Sequence, residues 1–415
     1  MPAGSSGLTD IEHGQLPVET VECRIERLGW GGLGIARHAD GRIMLLWHST
    51  ALFPAELVRA EITWKARHAE GRVLDVLEPA AERVVPACPW AIECGGCDLQ
   101  GAADFGSSLK QQMATDLIAK QLGRELQWNW TAADDYTKRN VIQLHYADGR
   151  LGYHQRGSHE LVEIGHCMAA RPALSDAINA LRNSIADGLM PALPGRWELA
   201  CGNPEQPVIA WHEGDSTRFW QLGEGGWQDS DGRLSFLLID GEIANLASAF
   251  FQTSGGAAIR WFRALFSRWQ LGGDRLHDLY GGCGLFSRVL CNSFRSFSVV
   301  DSSADSITNA VANLKGQDAR CFHRDVASYV DRMKSRPDDV IILDPPRSGL
   351  GRALCLALNE QGAGTLVLIG CDGAEFCRDL KLLSQNWRLE KLESADLFPW
   401  TVHCEFAALL SNRAI

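Results

Sequence analysis

The sequence predicts a multidomain chain: a small antiparallel barrel, then a mixed α+β part, then a doubly wound and mostly parallel α/β unit. Three observations predict it. At 415 residues the chain exceeds one ordinary domain of roughly 100–200 residues. Short apolar alternations divided by glycine-rich or polar turns fill residues 18–80. From about residue 254, apolar runs alternate with helical stretches, as in a sheet covered by helices on both faces.

Taken in order, residues 1–17 are rich in Gly, Ser, Pro and acidic residues without an apolar period, and read as a flexible tail. In 18–80 the runs are Val21 to Ile25, Ile43 to Leu46, Leu57 to Ile62 and Val73 to Val76, with Gly31-Gly32-Leu33-Gly34 as a sharp turn. Residues 81–253 carry a cysteine cluster, a helical stretch from Ser107 to Leu122 and strand-like segments from Asn140 to Cys167. In 254–415 the apolar runs are Leu276 to Tyr280, Phe297 to Val300, Val340 to Leu343, Thr365 to Ile369 and Phe406 to Leu410.

Composition narrows the classes. Hydrophobic residues at 46% and charged residues at 22% suit a chain that buries a core. No apolar run approaches the roughly 18 residues of a membrane span, and the N-terminus has neither a basic nor an apolar leader segment. A soluble, cytoplasmic protein is expected. The net charge of -11 offers no chain-wide attraction to nucleic acid or to an anionic membrane, so any grip on RNA is local. Thirteen cysteines suit thiol chemistry or metal ligation better than a disulfide framework.

Several segments carry chemistry. His277 to Phe286 runs from a strand through Gly281-Gly282-Cys283-Gly284 into a helix, a turn that brings backbone close to a ligand. Asp301 ends the next strand, placed for ribose hydroxyls. The loop is neither G-x-G-x-x-G nor followed by Gly-Lys-Ser/Thr, which favours S-adenosylmethionine over NAD or ATP; simple strand-on-helix packing is the competing reading. Asp344-Pro345-Pro346-Arg347 closes another strand, at the end where open α/β sheets bind ligands.

Thr365 to Ile369 runs out into Gly370-Cys371-Asp372-Gly373, a candidate nucleophile at a crevice edge. His403 and Glu405 stand just before the last strand and supply an imidazole and a carboxylate. Cys88, Cys94 and Cys97 in C-x5-C-x2-C spacing, with Cys167 downstream, can enclose a metal centre; spacing alone leaves zinc and iron-sulfur both open. Lys138-Arg139 and Arg156, amid His145, His154 and His159, form a candidate RNA-binding patch, a solvated strand face being the bland alternative.

With these motifs the chain resembles the bacterial RNA uracil-C5 methyltransferases, most closely the branch that acts on 23S ribosomal RNA. The marks are Gly31 to Arg37, the four cysteines, Phe250-Phe251-Gln252, Asp278 to Phe286, Asp344 to Gly349, Cys371, and His403 with Glu405. The resemblance implies an OB-like TRAM barrel, a central iron-sulfur domain and a Rossmann-like methyltransferase domain. It implies that Gln252, Tyr280, Asp301, Asp325 and Asp344 contact S-adenosylmethionine and that Cys88, Cys94, Cys97 and Cys167 hold a [4Fe-4S] cluster. Cys371 matches the nucleophile, Glu405 the base that removes the C5 proton, and Arg347 an arginine that supports the target base.

The expected partner is RNA, ribosomal rather than transfer RNA, with no membrane, no protein partner and a monomeric chain. This sequence departs from the family where Ser-Cys-Asn-Pro becomes Gly370-Cys371-Asp372-Gly373, where Gly281 replaces Cys, where Leu285 replaces Asn and where Trp400 replaces a frequent His. A catalytically silent RNA-binding paralogue would keep the first two domains while its nucleophile loop drifted. A methyltransferase acting on nitrogen or on a small molecule would need neither Cys371 nor Glu405. A transfer RNA target is the remaining alternative.

Overall fold

In the computed structural model the described residues are 18–415 without 123–126, 135–136, 214–215, 239–240 and 248, so the expected tail 1–17 lies outside them. Six strands form the first sheet: β1 (Val18–Arg24), β2 (Arg27–Leu28), β3 (Gly34–Arg37), β4 (Ile43–Trp47), β5 (Leu57–Trp64) and β6 (His68–Glu78). Period-two alternation fills its core, with Met44 and Leu46 facing Val58, Ala60 and Ile62, all fully buried. The order is β1-β5-β6-β4-β3-β2. The expected all-antiparallel pattern fails at one ladder, because β4 and β6 pair in parallel. The chain crosses from β4 to β5 before it returns as β6, and so meets β4 running the same way.

Helix α1 (Ser107–Leu122) falls where the apolar spacing predicts it. Next come β7 (Asn129–Thr131), β8 (Val141–Ala147), β9 (Arg150–His154), β10 (Leu161–Glu163), α2 (Pro172–Ala186), β11 (Gly195–Ala200), β12 (Val208–Glu213), β13 (Ser216–Gly223) and β14 (Gly226–Asp229). All of these strands but β7 make one antiparallel sheet, ordered β10-β9-β8-β11-β12-β13-β14. Leu174, Ala177, Ile178 and Leu181 of α2 pack on it around Trp197. A hairpin of β15 (Arg233–Leu238) and β16 (Gly241–Leu246) leads to α3 (Gly255–Trp269).

The C-terminal unit contains β17 (Gly273–Leu279), α4 (Leu285–Val289), β18 (Phe294–Asp301), α5 (Ala304–Asn313), β19 (Ala319–His323), α6 (Val326–Val330), β20 (Val340–Leu343), α7 (Gly351–Asn359), β21 (Thr365–Gly370), α8 (Gly373–Leu383), β22 (Trp387–Ala395) and β23 (Glu405–Asn412). Its sheet is ordered β19-β18-β17-β20-β21-β23-β22-β7. Strands β17 to β21 run parallel, and the central β20 and β21 read as apolar stretches because both of their faces are covered. Strand order reverses between β17 and β20, and such a switch point opens a crevice at the carboxyl ends.

A cut at 253/254 does not separate the parts in space. β7 extends the C-terminal sheet along β22. Helix α1 packs Ala114, Leu117 and Ile118 into the core of that sheet and Met113 into the core of the first one. Its apolar stripe is wide enough to serve two partners, which local periodicity does not reveal. Among the described residues no helix is long and apolar enough to cross a membrane.

Candidate functional site

The glycine loop is shaped by its own contacts. Asp278, fully buried at the end of β17, accepts the Ser287 N–H at 3.0 Å and its hydroxyl at 2.7 Å through Oδ2, which pins the first turn of α4. Its Oδ1 is buried without a partner, and burial pushes the carboxyl up to about 7. Tyr280 has φ +60°, a left-handed conformation unusual for a side chain of its size. A Cβ on Gly281 would lie 2.7 Å from Val299 Cγ1 and 2.9 Å from Asp278 O, so the Cys common in the family would not fit this backbone. Leu285 is buried in the apolar core.

The five residues matched to cofactor contacts collect at one end of the sheet. Asp301 accepts Gly282 N–H at 3.0 Å and Ser303 N–H at 2.8 Å, so it holds the glycine loop itself. Gln252 donates from Nε2 to Asp344 Oδ2 at 2.9 Å. Asp325 caps α6 through Ser328 N–H at 3.0 Å, and its charge adds to the burial that pushes the Tyr280 phenol up to about 12. Burial also pushes the Asp344 carboxyl up to about 7. Acidic groups kept partly neutral by burial, one with an orphaned oxygen, suit a cationic ligand with hydroxyl donors, as S-adenosylmethionine is.

Cys371 follows the last residue of β21. Gly370 pairs with Phe406 in the antiparallel ladder, so Cys371 comes opposite Glu405, the first residue of β23. Burial, then the Glu405 charge, pushes the thiol up to about 12, while Arg347 pulls it down. Glu405 is buried, and desolvation with the nearby Asp344 holds its carboxyl well above the usual carboxylate range. Burial, assisted by Arg347, lowers His403 to about 4, so its imidazole is neutral near pH 7. Asp372 caps α8, accepting from Ala374 N at 2.9 Å and Glu375 N at 3.1 Å, a role that Asp fills as well as Asn.

Arg347, His403, Phe398 and Thr401 line one wall of a cleft of about 680 Å³. The other walls come from β8, β9, the 249–253 segment and the cysteine loop, including Gln143, His145, His154, Arg156 and Phe250. Arg139, Arg156, His145 and His154 of the expected basic patch therefore line this cleft, while Lys138 and His159 do not, and both arginines are engaged. Arg139 donates to Gly96 O at 2.9 Å, and Arg156 to Cys97 O at 2.9 Å and to Asp98. His145 and His154 stack at 3.8 Å between ring centroids.

Cys88, Cys94, Cys97 and Cys167 line a single hollow together with Arg139 and Tyr153. Gly95 lets the loop close on β9, because a Cβ there would lie 2.8 Å from His154 O. Burial raises the thiols of Cys94 and Cys97 to about 11 and about 12. Four half-buried thiols in one hollow are a donor set for a thiophilic centre, which takes them as thiolates. Among the described residues no three His, Cys, Asp or Glu side chains are set around one point as a single ion requires.

Sequence reasoning missed Lys110, Asp396 and Asp98. The fully buried Lys110 ammonium meets Asp396, Phe398 O at 2.9 Å and His403 O at 3.3 Å, which fixes the loop leading to Glu405. Asp98 N and Leu99 N donate to Trp400 O at 2.7 and 2.8 Å, and Asp98 Oδ2 accepts Val402 N–H at 3.1 Å. The cysteine loop and the Glu405 loop are thereby tied together. No local pattern signals contacts made across some three hundred residues of chain.

Residues 317–413, from just before β19 to the end of β23, match the family model described as tRNA (uracil-5-)-methyltransferase. Nearly the whole chain is 27% identical to 23S rRNA (uracil(1939)-C(5))-methyltransferase RlmD of Vibrio cholerae, covering 97% of this chain and 98% of that protein. The chain is thus similar to RNA uracil-C5 methyltransferases over nearly its whole length. An uncharacterized RNA methyltransferase of Streptomyces coelicolor is 28% identical, covering 95% of this chain and 93% of its own. The crystal structure of Pyrococcus abyssi tRNA (uracil-54, C5)-methyltransferase with S-adenosyl-L-homocysteine matches with TM-score 0.70 at 20% identity, over 94% of this chain and 100% of that one. That solved structure shares the fold over 94% of this chain, and Cys371 and Glu405 lie inside the segment that matches the family model.

Proposed function

We propose that this protein methylates C5 of a uridine in RNA, with 23S ribosomal RNA as the target, through an adduct between Cys371 and C6. The observation that carries the reading is the ladder that brings Cys371 opposite Glu405, with Arg347, which lines the cleft, close enough for its charge to act on the thiol. Full-length similarity to the Vibrio cholerae ribosomal enzyme supports the choice of RNA.

Uracil C5 is a weak nucleophile, and addition of the Cys371 thiolate at C6 makes the ring an enolate with electron density on C5. Arg347 stabilises the enolate charge. S-adenosylmethionine, when bound by Gln252, Tyr280, Asp301, Asp325 and Asp344, supplies an electrophilic methyl group. Glu405 then removes the C5 proton, the C6–S bond breaks, and the thiolate leaves as the ring regains its double bond. The target base must leave its stack to enter the cleft, since C6 is shielded inside a helix.

Cys88, Cys94, Cys97 and Cys167 hold a [4Fe-4S] cluster in this reading, whose role is to brace the loop that carries Asp98. Residues 18–80 serve as a TRAM-type RNA-binding barrel, 81–253 as the cluster domain and 254–415 as the methyltransferase domain. Incubation with unmodified ribosomal and transfer RNA and radiolabelled methyl donor tests the whole reading. Label in 5-methyluridine of 23S RNA supports it. Label only in transfer RNA moves the target, and no label in either leaves an RNA-binding paralogue.

A further inference from the structure

A second hollow, of about 620 Å³, lies behind the catalytic cleft where α2, β15 and α3 meet. Lys138 and Asn140 line it, while Arg139 and Val141, their neighbours in the chain, line the cleft. The two hollows are therefore back to back across one extended segment. Among the described residues, Lys138, Arg171, Arg260 and Arg263 line this second hollow with one carboxylate, Glu205, which is paired with Arg171. Four cations less one anion give a local charge of +3 in a chain whose net charge is -11.

Two further features point to an anion. Asn140 is 1% exposed, and its Oδ1 accepts the Gly255 N–H, which settles the orientation of the amide. Its Nδ2 is then a buried donor without a partner, an arrangement that is costly unless a ligand oxygen meets it. The amino ends of two fifteen-residue helices also open here, through Arg171 and Pro172 at α2 and Gly256 at α3. Their N–H groups and dipoles favour negative charge.

We infer that this hollow is an anion-binding site for backbone phosphates of the RNA substrate, separate from the site that takes the target base. Ammonium, guanidinium and amide donors converge with little acceptor capacity, which suits the unesterified oxygens of a phosphodiester. Position favours a polymer over a free phosphate, since a strand lying in the cleft can round the edge formed by residues 138–141. The inference rests on the RNA reading above. It adds a contact on the far side of that edge, where a phosphate would sit against Asn140, whose N–H also donates to Thr253 O at 2.8 Å beside Gln252.

The test uses the full chain with its metal centre and compares wild type with Lys138→Ala, Arg263→Ala and the double variant. Unmodified 23S RNA is titrated at several salt concentrations, and each variant is also titrated with S-adenosylmethionine, inorganic phosphate and pyrophosphate. The double variant is expected to lose about tenfold in RNA affinity and to show a salt slope reduced by about 1 to 2, as each lost phosphate contact releases fewer counterions. Cofactor affinity should stay at the wild-type value, which shows that the variants fold. Unchanged RNA affinity and slope in the double variant would overturn the inference. Loss of phosphate or pyrophosphate binding with RNA affinity intact would overturn it in favour of a small anion. A wild-type chain that binds no RNA at all would overturn both this inference and the functional reading beneath it.

Discussion

Gly373 lies against Trp30: a Cβ on the glycine would stand 2.9 Å from the indole Cζ2, 2.9 Å from Phe406 Cε2 and 2.7 Å from Leu117 Cδ2. The residue that replaces the family's proline after the nucleophile is thus the point where the first sheet's turn docks on the methyltransferase sheet. The indole also sits 5.5 Å from the Phe406 ring, itself stacked on Phe376. The departure from proline at this position is thus a fitted contact.

Gly373→Pro should therefore harm rather than restore the loop. Overpacking of this kind costs about 1–3 kcal/mol. The expected result is a lower melting temperature and weaker methylation, both partly recovered by adding Trp30→Ala to make room. A Gly373→Pro chain as stable and active as wild type would show that Trp30 does not constrain the loop.

Lys110 and Asp396 are buried together, and burial pushes the ammonium down and the carboxyl up while each charge draws the other back. Lys110→Met leaves the carboxylate and two carbonyls without their donor, a loss of about 3–5 kcal/mol. Lys110→Met with Asp396→Leu should recover much of the stability, since apolar replacement of a buried pair is often tolerated. Turnover should stay low in both, because the 398–403 carbonyls remain unheld. Thermal melts and steady-state methylation separate the two effects.

The parts legible in the sequence were those with a local signal. The helix Ser107–Leu122, the strand Val340–Leu343 and the strand end before Cys371 each follow from apolar spacing or from glycine at a turn. What lacked a local signal was hidden. The parallel β4–β6 ladder, the attachment of β7 to β22 and the Lys110 contacts all join residues far apart in the chain. Asn140 is a further case, an ordinary polar residue whose importance arises only when Gly255 comes to meet it.

The acidic end of the sheet gives a proton count. Asp278 and Asp344 sit near 7, raised from an ordinary value of 3.8, so the fold favours their neutral forms and the stability they contribute is lost as pH rises from about 4 through 7. A cationic cofactor favours the ionised forms, so binding at pH 6.5–7 should release protons. Calorimetry in two buffers of different ionisation enthalpy reads this directly. Asp344→Asn should reduce the release, and Asp301→Ala should weaken binding at least tenfold by freeing the Gly282 loop. Proton uptake on binding would place the cofactor elsewhere.

The four cysteines should yield a brown protein under anaerobic purification, with iron and sulfide in equal amounts. Cys97→Ser should bleach it and, through Asp98, loosen the loop that carries Trp400 and Val402, which protease nicking near residue 400 would reveal. A colourless, active protein with stoichiometric zinc would sink the iron-sulfur assignment.

Cys371 and Glu405 act at different times in the proposed mechanism, and that difference is measurable. With the thiol pushed up to about 12, only a small thiolate fraction exists near pH 7 and it grows tenfold per pH unit. Single-turnover methyl transfer should therefore rise from pH 6.5 to 9 with the thiolate fraction, whereas release of free methylated RNA also needs Glu405 to have lost its proton. His403, neutral above about 4, adds no inflection there. Arg347→Ala raises the thiol further and should lower the rate across this range with little change in slope. Cys371→Ala should form no adduct and no product, because C5 is not activated without the C6–S bond. Glu405→Gln should still add the thiolate and accept the methyl group, then stall, since the C5 proton stays in place and the thiolate leaves slowly. Denaturing electrophoresis with labelled methyl donor should then show a band at the combined mass of protein and RNA. If Glu405→Gln instead turns over and leaves no adduct, another group takes the proton. Asp372 is committed to capping α8 through its Oδ1, which leaves the neutral His403 imidazole as the next base to test.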